Sequence, residues 1–137
     1  MSDPSSLIQA FEVTDQALAV LEAQAREGRL PPVGETVERC IALVRGLIVA
    51  YLRDEGRKPV PPDGADLLEV WKVLVKGEPF WNTIRDNLRE LVYYRNCVAL
   101  GREDALPAVP EKMAVRTARH LYLFIKTRCI REGRIAA

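Results

Sequence analysis

The stretch PPVGETVERCIALVRGLIVAYLRDEGRKPVPP, residues 31–62, decides how the chain folds. Prolines close it at both ends, and residues 33–58 contain none. Proline removes a backbone donor and clashes with the preceding turn, so a helix fills the interval between prolines and stops at them. Inside it Val37, Ile41, Val44, Ile48 and Tyr51 recur at spacings of four and three, one stripe of a helix. Leu43 and Leu47 widen that stripe. A helix with so broad an apolar surface needs neighbours on two sides, which makes this the central element.

The same punctuation continues outward. The remaining prolines leave the open runs 5–30, 63–78, 80–106 and 111–137, and Gly28, Gly56, Gly64, Gly77 and Gly101 fall at their margins. In the first run Leu7, Phe11, Thr14, Leu18, Leu21 and Ala25 form one stripe, with Asp3 as cap, Pro4 at the first helical position and Gly28 as the stop. After the proline-rich loop, Asp63 is read as the cap of a short helix bearing Leu67, Leu68, Trp71, Leu74 and Val75. The fourth run puts Phe80, Ile84, Leu88, Leu91, Arg95 and Val98 on one stripe. The fifth starts at Pro110 and carries Met113, Thr117, Leu121, Phe124 and Ile125. No run alternates with period two between turn dipeptides, so no sheet is expected. The spacing predicts an all-α, antiparallel helical bundle of four to five helices, with residues 1–137 as one domain.

Composition narrows the function classes. With 48% hydrophobic and 28% charged residues and a net charge of +1, the chain reads as an ordinary globule with no global polyelectrolyte character. No apolar run approaches the ~18 residues of a membrane span, and MSDPSSLIQAFEV has neither a basic start nor an apolar signal core. A cytoplasmic protein that does not contact membrane is the expectation. Three widely separated cysteines (Cys40, Cys97, Cys129) and a single histidine, His120, argue against a disulfide framework and a zinc site. No glycine-rich phosphate loop, nucleophile elbow or acidic metal cluster stands out, so no metal or cofactor is expected. Charge is uneven, however. Residues 1–38 carry seven acidic and two basic side chains, whereas residues 111–137 carry seven basic and two acidic. The two ends can attract one another as solvated faces, or the last helix can meet phosphate.

The chemistry concentrates in LVYYRNCVALGRED, residues 91–104. Arg95 falls on the apolar stripe, four residues after Leu91 and three before Val98. A guanidinium stays charged there and must find an acid, backbone carbonyls or a ligand. Asn96 adds a donor and an acceptor, and Gly101 supplies a left-handed stop.

At these residues the sequence resembles the HEPN family, small helical bundles of prokaryotic toxin–antitoxin, defence and nucleotidyltransferase-partner systems. That family carries an R-x4-6-H motif, often in the form RNxxAHG. Here the string is RNCVALG: Arg95, Asn96, Ala99 and Gly101 match in register, and Leu100 stands where the histidine belongs. In active members the resemblance implies metal-independent RNA cleavage between two protomers, with the arginine facing phosphate and the histidine moving protons. Leu100 has no titratable atom, and general acid–base catalysis is worth ~10²–10⁴-fold in rate. The resemblance therefore implies a non-catalytic domain that homodimerises and binds RNA, a nucleotide or a partner protein, such as a nucleotidyltransferase, in the dimer cleft. Two alternatives stay open: an active ribonuclease with a substitute for the histidine, and a structural helical subunit of a larger assembly.

The candidate binding residues are Arg95, Asn96, Tyr94, His120 and Arg116. His120, flanked by Arg116, Arg119 and Tyr122 in its helix neighbourhood, is expected as a half-buried packing residue, with reach into the Arg95 cleft as the functional alternative. Tyr93 and Tyr94 are expected to split between core and interface, with base stacking as the alternative. Asp86 and Glu90 are the candidate partners for Arg95. Trp71, Phe80 and Trp81 are expected to pack a helix corner.

Overall fold

The computed structural model describes residues 4–137, and the expected Asp3 cap lies outside them. Among the described residues, five α-helices and two 3-10 turns follow one another: α1 (Pro4–Arg26), α2 (Val33–Glu55), α3 (Leu67–Val75), a turn at Pro79–Ile84, α4 (Arg85–Ala99), a turn at Glu103–Ala105, and α5 (Pro110–Arg131). The proline punctuation is obeyed. Pro4 and Pro110 open helices, and Pro79 opens the 3-10 turn.

The central position read for α2 is realised, because it packs on α1, α3, α4 and α5. Val37, Cys40, Ile41, Val44, Leu47, Ile48, Tyr51 and Leu52 on it are all buried. They meet Leu7, Phe11, Leu18 and Leu21 of α1, Leu88 and Leu91 of α4, and Leu121 and Ile125 of α5 in one continuous core. Burial of apolar surface on this scale is the main stabilising term.

The opposed charges of the chain ends meet inside the molecule. Arg119 of α5 donates to Asp15 (2.7 Å) and to Glu22 (2.8 and 3.0 Å) of α1. Farther along, Arg134 bonds Asp54 and Glu132, and the buried Tyr51 hydroxyl reaches Glu132 at 2.9 Å. Burial, together with the Glu132 and Glu55 carboxylates that the hydroxyl bonds, pushes the Tyr51 phenol well above its ordinary range.

Two local readings are corrected. The α3 cap is Asp66, not Asp63, since the helix begins at Leu67. Phe80 leaves the apolar stripe of the fourth run, because Pro79–Ile84 winds as a tighter 3-10 turn and rotates Phe80 outward. Trp81 takes the buried place, with the Trp71 indole N–H donating to its carbonyl at 3.0 Å.

Candidate functional site

The RNCVALG string closes α4. Cys97 is buried, Val98 is half-buried, and the helix stops in a Schellman arrangement: the Gly101 N–H bonds the Val98 carbonyl (3.1 Å) and the Arg102 N–H bonds that of Cys97 (2.7 Å). Gly101 adopts φ +69°, the left-handed conformation that this ending requires. The cap residue just before it, Leu100, is 76% exposed, the most exposed large apolar side chain described.

Arg95 sits one turn earlier with its side chain 27% exposed, and its partner is an acid the sequence reading missed. Its two terminal nitrogens donate to the two carboxylate oxygens of Asp66, at 2.6 and 3.0 Å. This fork-to-fork geometry is the strong form of a charged hydrogen bond. It lowers the Asp66 pKa, through the Arg95 bond first, and raises that of Arg95. A second arginine holds the same loop from the opposite side. Arg45 of α2 donates to the carbonyls of Ala65 (2.5 Å), Asp63 (2.8 Å) and Pro62 (3.0 Å). Two inward guanidiniums therefore pin residues 62–66 against α2 and α4.

The expected partners of Arg95 are engaged elsewhere or lie outward. Asp86 is exposed on the first turn of α4 beside Arg85. Glu90 accepts bonds from the Tyr94 hydroxyl (3.1 Å) and from the Thr117 hydroxyl of α5 (2.7 Å). Burial, reinforced by Glu90, pushes the Tyr94 phenol up to about 12. Tyr94 takes the core position expected of one tyrosine of the pair, and Tyr93 is exposed with its hydroxyl donating to the Ala105 carbonyl at 3.2 Å.

His120 corrects the packing expectation, for it is exposed. It lines a groove of about 280 Å³ with Phe80, Leu123, Phe124, Thr127, Arg128 and Arg131, a set that does not contain Arg95. The five candidates thus divide. Tyr94, Arg95 and Asn96 belong to α4, with Asn96 exposed, while Arg116 and His120 belong to the outward side of α5. Glu90, bridging Tyr94 and Thr117, is the polar link between the two helices.

Of the residues that sequence reasoning missed, Asp66 carried a usable signal. It is the acid immediately preceding the apolar run LLEVW, the position of a helix cap. Phe80 was named for the core, and its outward place beside His120 carried no signal, since only the 3-10 winding turns it out. Among the described residues no group of histidine, cysteine, aspartate or glutamate side chains could hold a metal ion, and no helix is long and apolar enough to cross a membrane. Compared with family models, curated proteins and solved structures, the chain matches none.

Proposed function

We propose that this chain is a non-catalytic HEPN-like domain that associates with a second copy through the end of α4 and works by binding, not by cleaving. One observation carries the reading: Leu100, at the place where the resemblance expects a proton carrier, is a hydrocarbon side chain turned outward and 76% exposed. Tyr93, Asn96 and Ala99, also on α4, are exposed with it. An outward leucine beside a tyrosine and an asparagine is the composition of an interface core with a polar rim. Arg95 is not a free phosphate ligand in this arrangement: Asp66 already balances its charge, and a phosphate would have to displace that carboxylate.

The setting that the resemblance implies is a cytoplasmic toxin–antitoxin or defence assembly. The cleft between copies would take RNA, a nucleotide or a nucleotidyltransferase-type partner. A structural-subunit role is the second reading, favoured by the internal Arg95–Asp66 pair.

Incubation of labelled single-stranded RNA with the full chain in EDTA tests the non-catalytic claim. Wild type leaves the RNA intact, and Leu100→His gains cleavage that a further Arg95→Ala change abolishes. Cleavage by wild type, lost in His120→Ala, would overturn the reading in favour of an active ribonuclease.

A further inference from the structure

We propose that the outward ridge of α5 is a binding site for single-stranded nucleic acid, gripped by its phosphates and flanked by an apolar groove. The inference goes beyond the self-association reading and does not depend on it.

The fold only partly neutralises a charge imbalance on α5. From Lys112 to Arg131 the sequence contains no aspartate or glutamate. Internal partners engage some of the cations there: Arg119 bonds Asp15 and Glu22, Arg128 bonds Glu132 at 2.6 Å, and the Lys126 ammonium lies 5.7 Å from the Tyr122 ring centroid. Arg116, His120 and Arg131 have no such partner among the described residues, and all three are exposed. Helical geometry sets them on one face with Leu123 and Thr127, at 116, 120, 123, 127 and 131. At 1.5 Å per residue the ridge runs roughly 22 Å, enough for several phosphates of an extended strand.

The groove alongside supplies a different chemistry. Phe80 stacks on Phe124 with centroids 5.4 Å apart, and the Arg128 guanidinium lies 4.3 Å from the Phe80 centroid. Leu123 is half exposed at the rim, and no carboxylate is among the residues that line the groove. Cations along a track with aromatic and apolar surface beside it suit a strand whose bases are unpaired. A duplex offers its phosphates but keeps its base faces stacked inside, out of reach of the groove. The His120 imidazole presents an N–H donor in either protonation state, so it adds a contact between the two arginines.

The test is fluorescence anisotropy of a labelled, mixed-sequence single-stranded RNA, read against salt concentration. Arg116→Gln combined with Arg131→Gln is expected to weaken binding at least tenfold. It should also flatten the log–log salt slope by about 1.4, from ~0.7 per lost phosphate contact. The control pair Arg26→Gln with Arg53→Gln removes the same charge from exposed sites on α1 and α2 and should change affinity less than threefold. Equal weakening by both pairs would overturn the site, as would absence of binding by wild type. Unlabelled single-stranded DNA of the same sequence should displace the probe about as well as RNA, because the phosphates are shared. Displacement at equal charge by polyglutamate or by a duplex, as effective as by the single strand, would overturn the assignment to unpaired nucleic acid.

Discussion

The Arg95 guanidinium and the Asp66 carboxylate meet through two parallel hydrogen bonds, joining the last part of α4 to the cap of α3, where the proline-rich loop ends. An arginine that a motif match would offer to a ligand is thereby a fastener for a loop. Breaking it has consequences that can be measured without knowing any ligand. Because both groups are partly exposed, their coupling is expected at about 0.5–1 kcal/mol, not the larger values of buried pairs. A double-mutant cycle with Arg95→Gln and Asp66→Asn, read by urea unfolding, checks this. A coupling indistinguishable from zero would remove the fastener role.

The same pair gives a pH signature of definite sign. The folded-state Asp66 pKa lies below its ordinary value, chiefly because of the Arg95 bonds. Its stabilising contribution is therefore complete above the ordinary aspartate range near ~3.9 and is lost as pH falls through the lower folded value. The stability gap between wild type and Asp66→Asn should be constant near neutrality and close in acid. A gap that widened in acid would contradict the pairing.

Two glycines of α2 should respond oppositely to alanine. Gly46 lies in mid-helix with no neighbouring atom within 4 Å of where a Cβ would stand. Gly46→Ala should stabilise by about 0.5–1 kcal/mol, the helix-propensity gain. At Gly34 the same Cβ would come to 3.1 Å from Val98 Cγ1, so the Val98 side chain must give by a few tenths of an ångström to admit it. Gly34→Ala should be neutral or destabilising, and thermal melts of both variants decide the comparison.

Cys40 and Cys129 should be inert in the native protein. All three cysteines are buried and free, and burial pushes the thiols of Cys40 and Cys129 up to about 12. The thiolate is the reacting form, so an aromatic disulfide reagent at neutral pH should label these two only after denaturant is added. Fast labelling of either in the native state would show that α2 or α5 opens far more readily than its packing implies.

Much of the architecture was legible because its signals are local. Prolines at 31, 32, 59, 61, 62, 79 and 110 mark where helices begin or end, and the stripe on residues 37–51 marks a surface that must be covered twice. The attraction of the first helix for the last also followed from charge counting, and Arg119 realises it. What the sequence concealed was pairing at a distance. Asp66 lies twenty-nine residues from Arg95, whereas Asp86 and Glu90 are near it in the chain but sit on other faces or bond elsewhere. His120 was misjudged because its helical neighbours Thr117 and Leu121 turn inward while it turns out, a rotation that only the packing of α5 against α1, α2 and α4 decides.

The most direct test of the central claim is sedimentation velocity on the full chain over a wide concentration range, comparing wild type with Leu100→Glu and with Val20→Glu, a like change at an exposed valine of α1. Neither substitution removes a buried contact, so both proteins should melt within about 0.5 kcal/mol of wild type. Wild type and Val20→Glu are expected to sediment as dimers and Leu100→Glu as a monomer. A wild-type monomer at every concentration, or a dimer untouched by Leu100→Glu, would contradict the account.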